Sequence, residues 1–206
     1  MSVKVITVGR EFGSGGRSVG KAVAAALGWD YYDQELVRHV AEKTGFAERY
    51  IEETGEYSAS KSRLAYAFSS VGSPEVMNGL SASDYLWTVQ RKVILDLAEK
   101  GNCVIVGRCA SSILPREKRL SVFCYADEAD KIRRVMARNH LDEKTALHRI
   151  KHIDRMRKQF FDFYSDTMWG HPGSYDLMLS TSRFGIDKCV QLVIDAIHES
   201  EGPDHE

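Results

Sequence analysis

The sequence predicts an α/β fold in which five parallel strands are covered by helices on both faces. Three observations carry that expectation. Short apolar runs alternate with segments of helical period along the chain, the pattern of successive βαβ units. Several of those runs are continuously apolar, as in strands buried on both faces. A glycine-dense stretch joins the first strand to the first helix, where a phosphate-binding turn would stand.

Val3 to Val8 reads as the first strand. Ser18 to Leu27 follows as a helix, with Val19, Ala22, Val23, Ala26 and Leu27 at helical spacing and Gly28 ending it. Trp29 to Tyr32 is a short second strand and Gln34 to Glu42 a helix. Tyr85 to Glu99 repeats Tyr85, Val89, Val93 and Leu97 every four residues, again a helix. Cys103 to Val106 and Leu120 to Tyr125 are the third and fourth strands. Asp127 to Arg138 and Glu143 to Phe161 are helical, Asp176 to Leu179 is the fifth strand, and Ile186 to His198 is a closing helix. Glu52 to Ser83, rich in Ser, Gly, Ala and Glu, breaks this rhythm and reads as a helical insertion.

A chain of 206 residues suits one domain with an insertion. Its 43% hydrophobic and 28% charged residues supply a core and an ordinary soluble surface. The net charge of -1 argues against a bulk nucleic-acid binder. No apolar run reaches the roughly 20 residues of a membrane helix, so no membrane partner is expected. Met1 leads directly into a strand without a signal-peptide pattern, and none of Cys103, Cys109, Cys124 and Cys189 forms a C-x-x-C pair. Both features point to a reducing, cytoplasmic setting.

The strongest signal is Gly9-Arg10-Glu11-Phe12-Gly13-Ser14-Gly15-Gly16-Arg17-Ser18 between strand and helix. Glycines let the backbone curl so that its N–H groups face a phosphate, and the helix adds the positive end of its dipole. Gly13, Ser14, Gly15, Gly16, Arg17 and Ser18 are therefore the candidate nucleotide-binding residues, with the Ser18 hydroxyl a candidate ligand of Mg2+. The loop departs from G-x-x-x-x-G-K-[ST] twice: Glu11 stands at the first glycine, and Arg17 at the lysine.

With this loop, Tyr31-Tyr32-Asp33-Gln34-Glu35-Leu36-Val37, Val104-Ile105-Val106-Gly107-Arg108 and Tyr175-Asp176-Leu177-Met178-Leu179, the chain resembles the cytidylate kinase-like family of P-loop kinases. The resemblance spans most of the chain. It implies a P-loop NTPase fold with a helical monophosphate-binding insertion and a basic lid. It divides a single domain, residues 1–198, into a core (1–33, 101–135 and 174–198), an insertion at about 34–100 and a lid region at about 138–172, with a flexible tail at 199–206.

Arg108 is a candidate for the acceptor's phosphate, or else an ion-pair partner; Cys109 follows it where the family carries Asp. Asp33 is a candidate acceptor-orienting carboxylate or a helix N-cap. Arg138, Arg149, Lys151, Arg155, Arg157 and Lys158 crowd one stretch. They read as a lid or as a solvated face laced to Asp142, Glu143 and Asp154. Arg155 and Arg157 join Arg17 and Arg108 as candidate catalytic cations, and Arg149 joins the acceptor-binding set. The aromatic run Phe160 to Tyr164, with Trp169, reads as core packing. The implied activity is transfer of the γ-phosphoryl group of ATP to a nucleoside monophosphate, with CMP or dCMP favoured. The alternatives are a hydroxyl kinase of the same fold and a non-catalytic nucleotide sensor.

Overall fold

A computed structural model describes residues 3–44 and 82–200. The expected insertion at Glu52 to Ser83 falls almost wholly outside these residues, as does most of the expected tail. Five strands form one parallel sheet in the order β2-β3-β1-β4-β5. They are β1 Val5–Arg10, β2 Asp30–Tyr32, β3 Cys103–Val106, β4 Leu120–Tyr125 and β5 Leu177–Ser180. The described helices are α1 Gly16–Leu27, α2 Gln34–Thr44, α3 Ala82–Lys100, α4 Ala110–Ile113, α5 Glu128–Asn139, α6 Glu143–Tyr164 and α7 Thr181–Ser200.

The strand period of two sorts side chains between two cores. Val5, Cys103 and Ile105 pack with Leu36, Val37, Leu86, Val93, Ile94 and Phe161 on one face. Ile6, Val8, Val104, Val106, Val122 and Cys124 pack with Val19 and Val23 of α1 and with Val193 and Ile197 of α7 on the other. Both faces being covered accounts for apolar runs without alternation. A third, smaller cluster joins Val135 of α5, Ala146 and Ile150 of α6, and Phe12.

Three boundaries depart from the sequence reading for identifiable reasons. Strand β1 continues to Arg10, which pairs with Cys124 of β4; backbone pairing does not depend on an apolar side chain. Helix α1 begins at Gly16, two residues earlier than predicted, behind a left-handed Gly15 cap (φ 84°). Helix α7 begins at Thr181 and is interrupted at Gly185 (φ 76°, ψ 168°), so the predicted closing helix is its longer second part.

Parallel strands put every strand's carboxyl end on one edge, and there the ligands of open α/β sheets bind. The ends of β1 and β3 are neighbours on that edge, so Arg10 and the turn Gly107-Arg108 stand side by side. The Gly107 N–H donates to the Val8 carbonyl at 3.0 Å and holds the two ends together.

Candidate active site

The loop between β1 and α1 is held by groups outside it. The Ser14 hydroxyl donates to the Glu11 carbonyl (2.9 Å). Arg134 of α5 donates to the Gly13 and Ser14 carbonyls at 3.3 and 3.0 Å. The Thr181 hydroxyl donates to the Ser14 carbonyl as well. The Gly16 N–H donates to the Ser14 hydroxyl at 3.4 Å; the amides that follow it in the first turn of α1, at Arg17 and Ser18 on the cavity wall, are among those a helix N-terminus leaves for an anion. Glu11 also lines the larger cavity at this edge, with its carboxylate taking bonds from Lys131 (2.9 Å) and the Ala126 N–H (3.2 Å). An acid at the first glycine position is thus compatible with an anion-binding curl.

Two glycines are required for different reasons. Gly15 lies at φ 84°, where an L-residue is strained. Gly16 is needed for space: a Cβ there would stand 2.6 Å from the Arg10 Cβ and 3.1 Å from the Cys124 Cβ.

Two cavities open at this edge. The larger, of about 280 Å³, is lined by Gly13, Gly15, Gly16, Arg17, Ser18, Arg134, Arg138 and Asn139, together with Arg10 and Arg157. The smaller lies between β1 and β3 and encloses about 30 Å³. Thr7, Gly107, Arg108, Cys109, Ser111 and Tyr175 line it with Phe160, Phe161 and Trp169, and again with Arg10 and Arg157. A space of 30 Å³ admits little more than a water, so a larger molecule enters only if α6 or the segment at 165–175 moves. Arg10, Arg108 and Arg157 are 5%, 7% and 8% exposed. Their like charges repel, and an anion in either cavity offsets that repulsion.

The residues singled out in the sequence are thus partly brought together. Gly13, Gly15, Gly16, Arg17 and Ser18 line the larger cavity. Ser14 does not; its fully buried side chain staples the loop from within. The Arg17 guanidinium is turned to Asp33, with Nε 2.6 Å from the carboxylate. The Tyr31 hydroxyl donates to Asp33 (3.5 Å) and to the Arg17 carbonyl (3.4 Å). Burial and the Asp33 charge push the Tyr31 phenol up to about 12. Arg157 lines both cavities, and its Nη1 donates to the Arg10 carbonyl at 3.3 Å.

Arg155 stands apart. Two residues from Arg157 on a helix means about 200° of rotation, and Arg155 is exposed beside His152 (3.5 Å). It lines neither cavity. Arg149 lines neither cavity; its guanidinium and that of Arg157 lie 5.9 and 5.7 Å from the centre of the Phe12 ring, a cation–π range.

Sequence reasoning placed Arg10 in the glycine-rich stretch after the first strand and gave it no role of its own. It also left Phe160, Phe161 and Trp169 as packing, and they line the smaller cavity while they pack. Trp169 meets Phe123 edge to face with centroids 5.2 Å apart, and Phe160 meets Trp87 likewise at 6.0 Å.

Helix α6 is tied to the loop at a titratable point. The Phe12 N–H donates to Asp154 Oδ1 at 2.6 Å. Burial raises the Asp154 carboxyl from 3.8 to about 6, outweighing the Phe12 bond and the Arg157 charge. A carboxyl whose folded pKa exceeds its unfolded value contributes stability that is complete below the unfolded value. That contribution is lost as pH rises through the folded one. Thermal melts of the wild type are expected to show a loss of about 2 to 3 kcal/mol from Asp154 between pH 4 and pH 7. Asp154→Asn, which keeps an acceptor for Phe12, is expected to remove that slope and to be at least as stable as wild type at pH 8. An unchanged slope would place the titration elsewhere.

Comparison with known proteins agrees with this architecture. A solved structure of an uncharacterized protein from Eubacterium ventriosum is 29% identical, with TM-score 0.71 over 94% of this chain and 98% of that one. The shikimate kinase of Acinetobacter baumannii, solved in complex with shikimate, is 14% identical with TM-score 0.56 (98% and 96% covered). That of Bacteroides thetaiotaomicron is also 14% identical, with TM-score 0.54 (94% and 98% covered). At that identity the two shikimate kinases speak for a shared P-loop kinase fold. No curated protein shows significant sequence similarity. A family match runs over residues 5–183, from the first strand past the last, and with the loop and sheet order above it makes this chain a member of the cytidylate kinase-like family.

Proposed function

We propose that the protein transfers the γ-phosphoryl group of Mg-ATP to the phosphate of a nucleoside monophosphate, with CMP and dCMP the favoured acceptors. The observation that carries this reading is the meeting of two cation-lined cavities across Arg10 and Arg157. The larger is the donor side. There the amides opening α1 cradle the polyphosphate, and Arg17, Arg134 and Arg138 supply positive charge. The Ser18 hydroxyl is exposed at the first turn of α1, an oxygen of the kind that magnesium prefers. Bound there, the ion would neutralise charge developing on the donor phosphates. Among the described residues no three metal-ligating side chains cluster, which suits magnesium held chiefly by phosphate and water.

The smaller cavity is the acceptor side. Its described lining includes Arg108 and Arg157 but no carboxylate. A monophosphate oxygen is already ionised and needs no general base. It attacks phosphorus in line while the bond to the bridging oxygen breaks and its electron pair leaves with ADP. The chain's task is then to position two anions and hold water out. An alcohol would need a base there, and the nearest sequence candidate, Asp33, is engaged by Arg17. The family match supports a nucleotide acceptor. Among the described residues no helix is long and apolar enough to cross a membrane, in keeping with the proposed cytoplasmic role.

An ADP-release assay across CMP, dCMP, UMP, AMP and shikimate tests the reading. Turnover is expected with the pyrimidine monophosphates and not with shikimate. Turnover on shikimate alone would overturn the acceptor assignment. ATP binding without turnover on any acceptor would favour a sensor.

A further inference from the structure

Arg10 is an unusual residue to find at the end of a central strand. It closes β1, is held in register opposite Cys124, and is 5% exposed. It lines both the donor and the acceptor cavity, whereas Arg17 lines the donor cavity alone. The Arg17 guanidinium is committed sideways to Asp33 at 2.6 Å, and that side chain is 46% exposed.

Gly16 has the matching shape. The site of its absent Cβ lies 2.6 Å from the Arg10 Cβ and 3.3 Å from its Cγ. The stem of Arg10 therefore runs across the first turn of α1 through space that any other residue at position 16 would fill. Arg157, donating to the Arg10 carbonyl, brings a second guanidinium to the same wall. Position and packing thus put a buried cation where donor and acceptor meet, and a half-exposed one, paired with Asp33, where a phosphate loop ordinarily carries its lysine.

We infer that Arg10, rather than Arg17, is the cation that touches the transferring γ-phosphoryl group. This rests on the proposed phosphotransfer and adds a catalytic residue to it. The phosphoryl group carries its charge on three equatorial oxygens while both axial bonds are partial. A guanidinium fork on a residue that lines both cavities can hold two of those oxygens throughout the transfer. Arg17 is left with the phosphates nearer the leaving side, where contact strengthens binding of ATP and ADP alike.

The test compares Arg10→Met, Arg10→Lys, Arg17→Met and Arg17→Lys with wild type. Methionine keeps an unbranched stem in the channel beside Gly16 and removes the charge. Calorimetry with ATP and with ADP, kinetics with the best acceptor and thermal melts are the readouts. Arg10→Met is expected to erase most of the preference for ATP over ADP and to lower kcat by about 10³-fold. Arg17→Met is expected to weaken both nucleotides by similar factors and to lower kcat by less than about tenfold. Should Arg10→Met fail to fold, the lysine pair decides. Arg10→Lys is then expected to lose more kcat than Arg17→Lys, and equal or reversed losses overturn the inference. Retention of the ATP preference in a folded Arg10→Met also overturns it. A wild type that binds nucleotide without turnover refutes the acceptor reading, while the ATP-to-ADP ratios still judge Arg10. A wild type that binds neither nucleotide refutes both proposals.

Discussion

Gly16→Ala is expected to abolish phosphotransfer, with kcat at least 100-fold lower, and to lower the melting temperature by about 5 to 10 °C. The new methyl meets the Arg10 Cβ at 2.6 Å and the Cys124 Cβ at 3.1 Å. Both atoms are attached to backbone in paired strands, and no rotamer change removes them. Either α1 lifts from the sheet or β1 bends. Overpacking of this kind costs about 1 to 3 kcal/mol, and each kcal/mol moves the midpoint of a chain this size by about 2 to 4 °C. A displacement of about 1 Å in a phosphate cradle is enough for a 100-fold loss. Gly28→Ala is the control. Gly28 has φ 66° and nothing within 4 Å of a Cβ, so backbone strain of about 1 to 2 kcal/mol is expected with little effect on turnover. Melts and steady-state rates on the pair separate collision from strain; equal rate losses would deny Gly16 its special place.

Arg108→Gly is expected to cut kcat/KM for the acceptor by about 10² to 10³-fold while costing far less stability than the loss of a buried side chain usually does. Gly107, Arg108 and Cys109 have φ values of 73°, 56° and 56°, three left-handed residues in succession between β3 and α4. The turn is closed by the Ala110 N–H donating to the Gly107 carbonyl (3.0 Å), and the Gln90 side chain donates to the Arg108 carbonyl (3.3 Å). A left-handed conformation costs an L-residue about 1 to 2 kcal/mol, and glycine relieves it. Strain retained at a cavity wall points to a side chain held for its chemistry. The measurement is a melt beside acceptor kinetics. A folded Arg108→Gly with wild-type kcat/KM would remove Arg108 from the acceptor site.

Strands β1, β3, β4 and β5 were legible because each contains a short apolar run, which a sheet buried on both faces demands; β2, Asp30-Tyr31-Tyr32 at the sheet edge, was legible by its aromatic residues between two helical stretches. The phosphate curl was legible because glycine density between strand and helix has few other physical causes. Arg10 was not legible, because its burial is created by distant residues: Gly16 makes room for it, Cys124 fixes its register and Arg157 closes over it. The arginines between 138 and 157 were legible only as a group. Clustering in the chain cannot separate Arg155 from Arg157, since which side of α6 faces the loop is decided by the packing of Ala146 and Ile150 against α5 and Phe12. The direction of the Ser14 side chain was not legible either: a hydroxyl in a glycine-rich curl can face a phosphate or its own backbone, and here it bonds the Glu11 carbonyl.

Helix α6 has 22 residues and is thus about 33 Å long. Asp154, which grips the Phe12 amide, sits near its midpoint. Its Glu143 half packs through Ala146 and Ile150 against α5 and Phe12, and its Tyr164 half stacks on Trp87 at 4.3 Å. One rod thus borders both chambers, the larger through Arg157 and the smaller through Arg157, Phe160 and Phe161, so their walls share a single backbone.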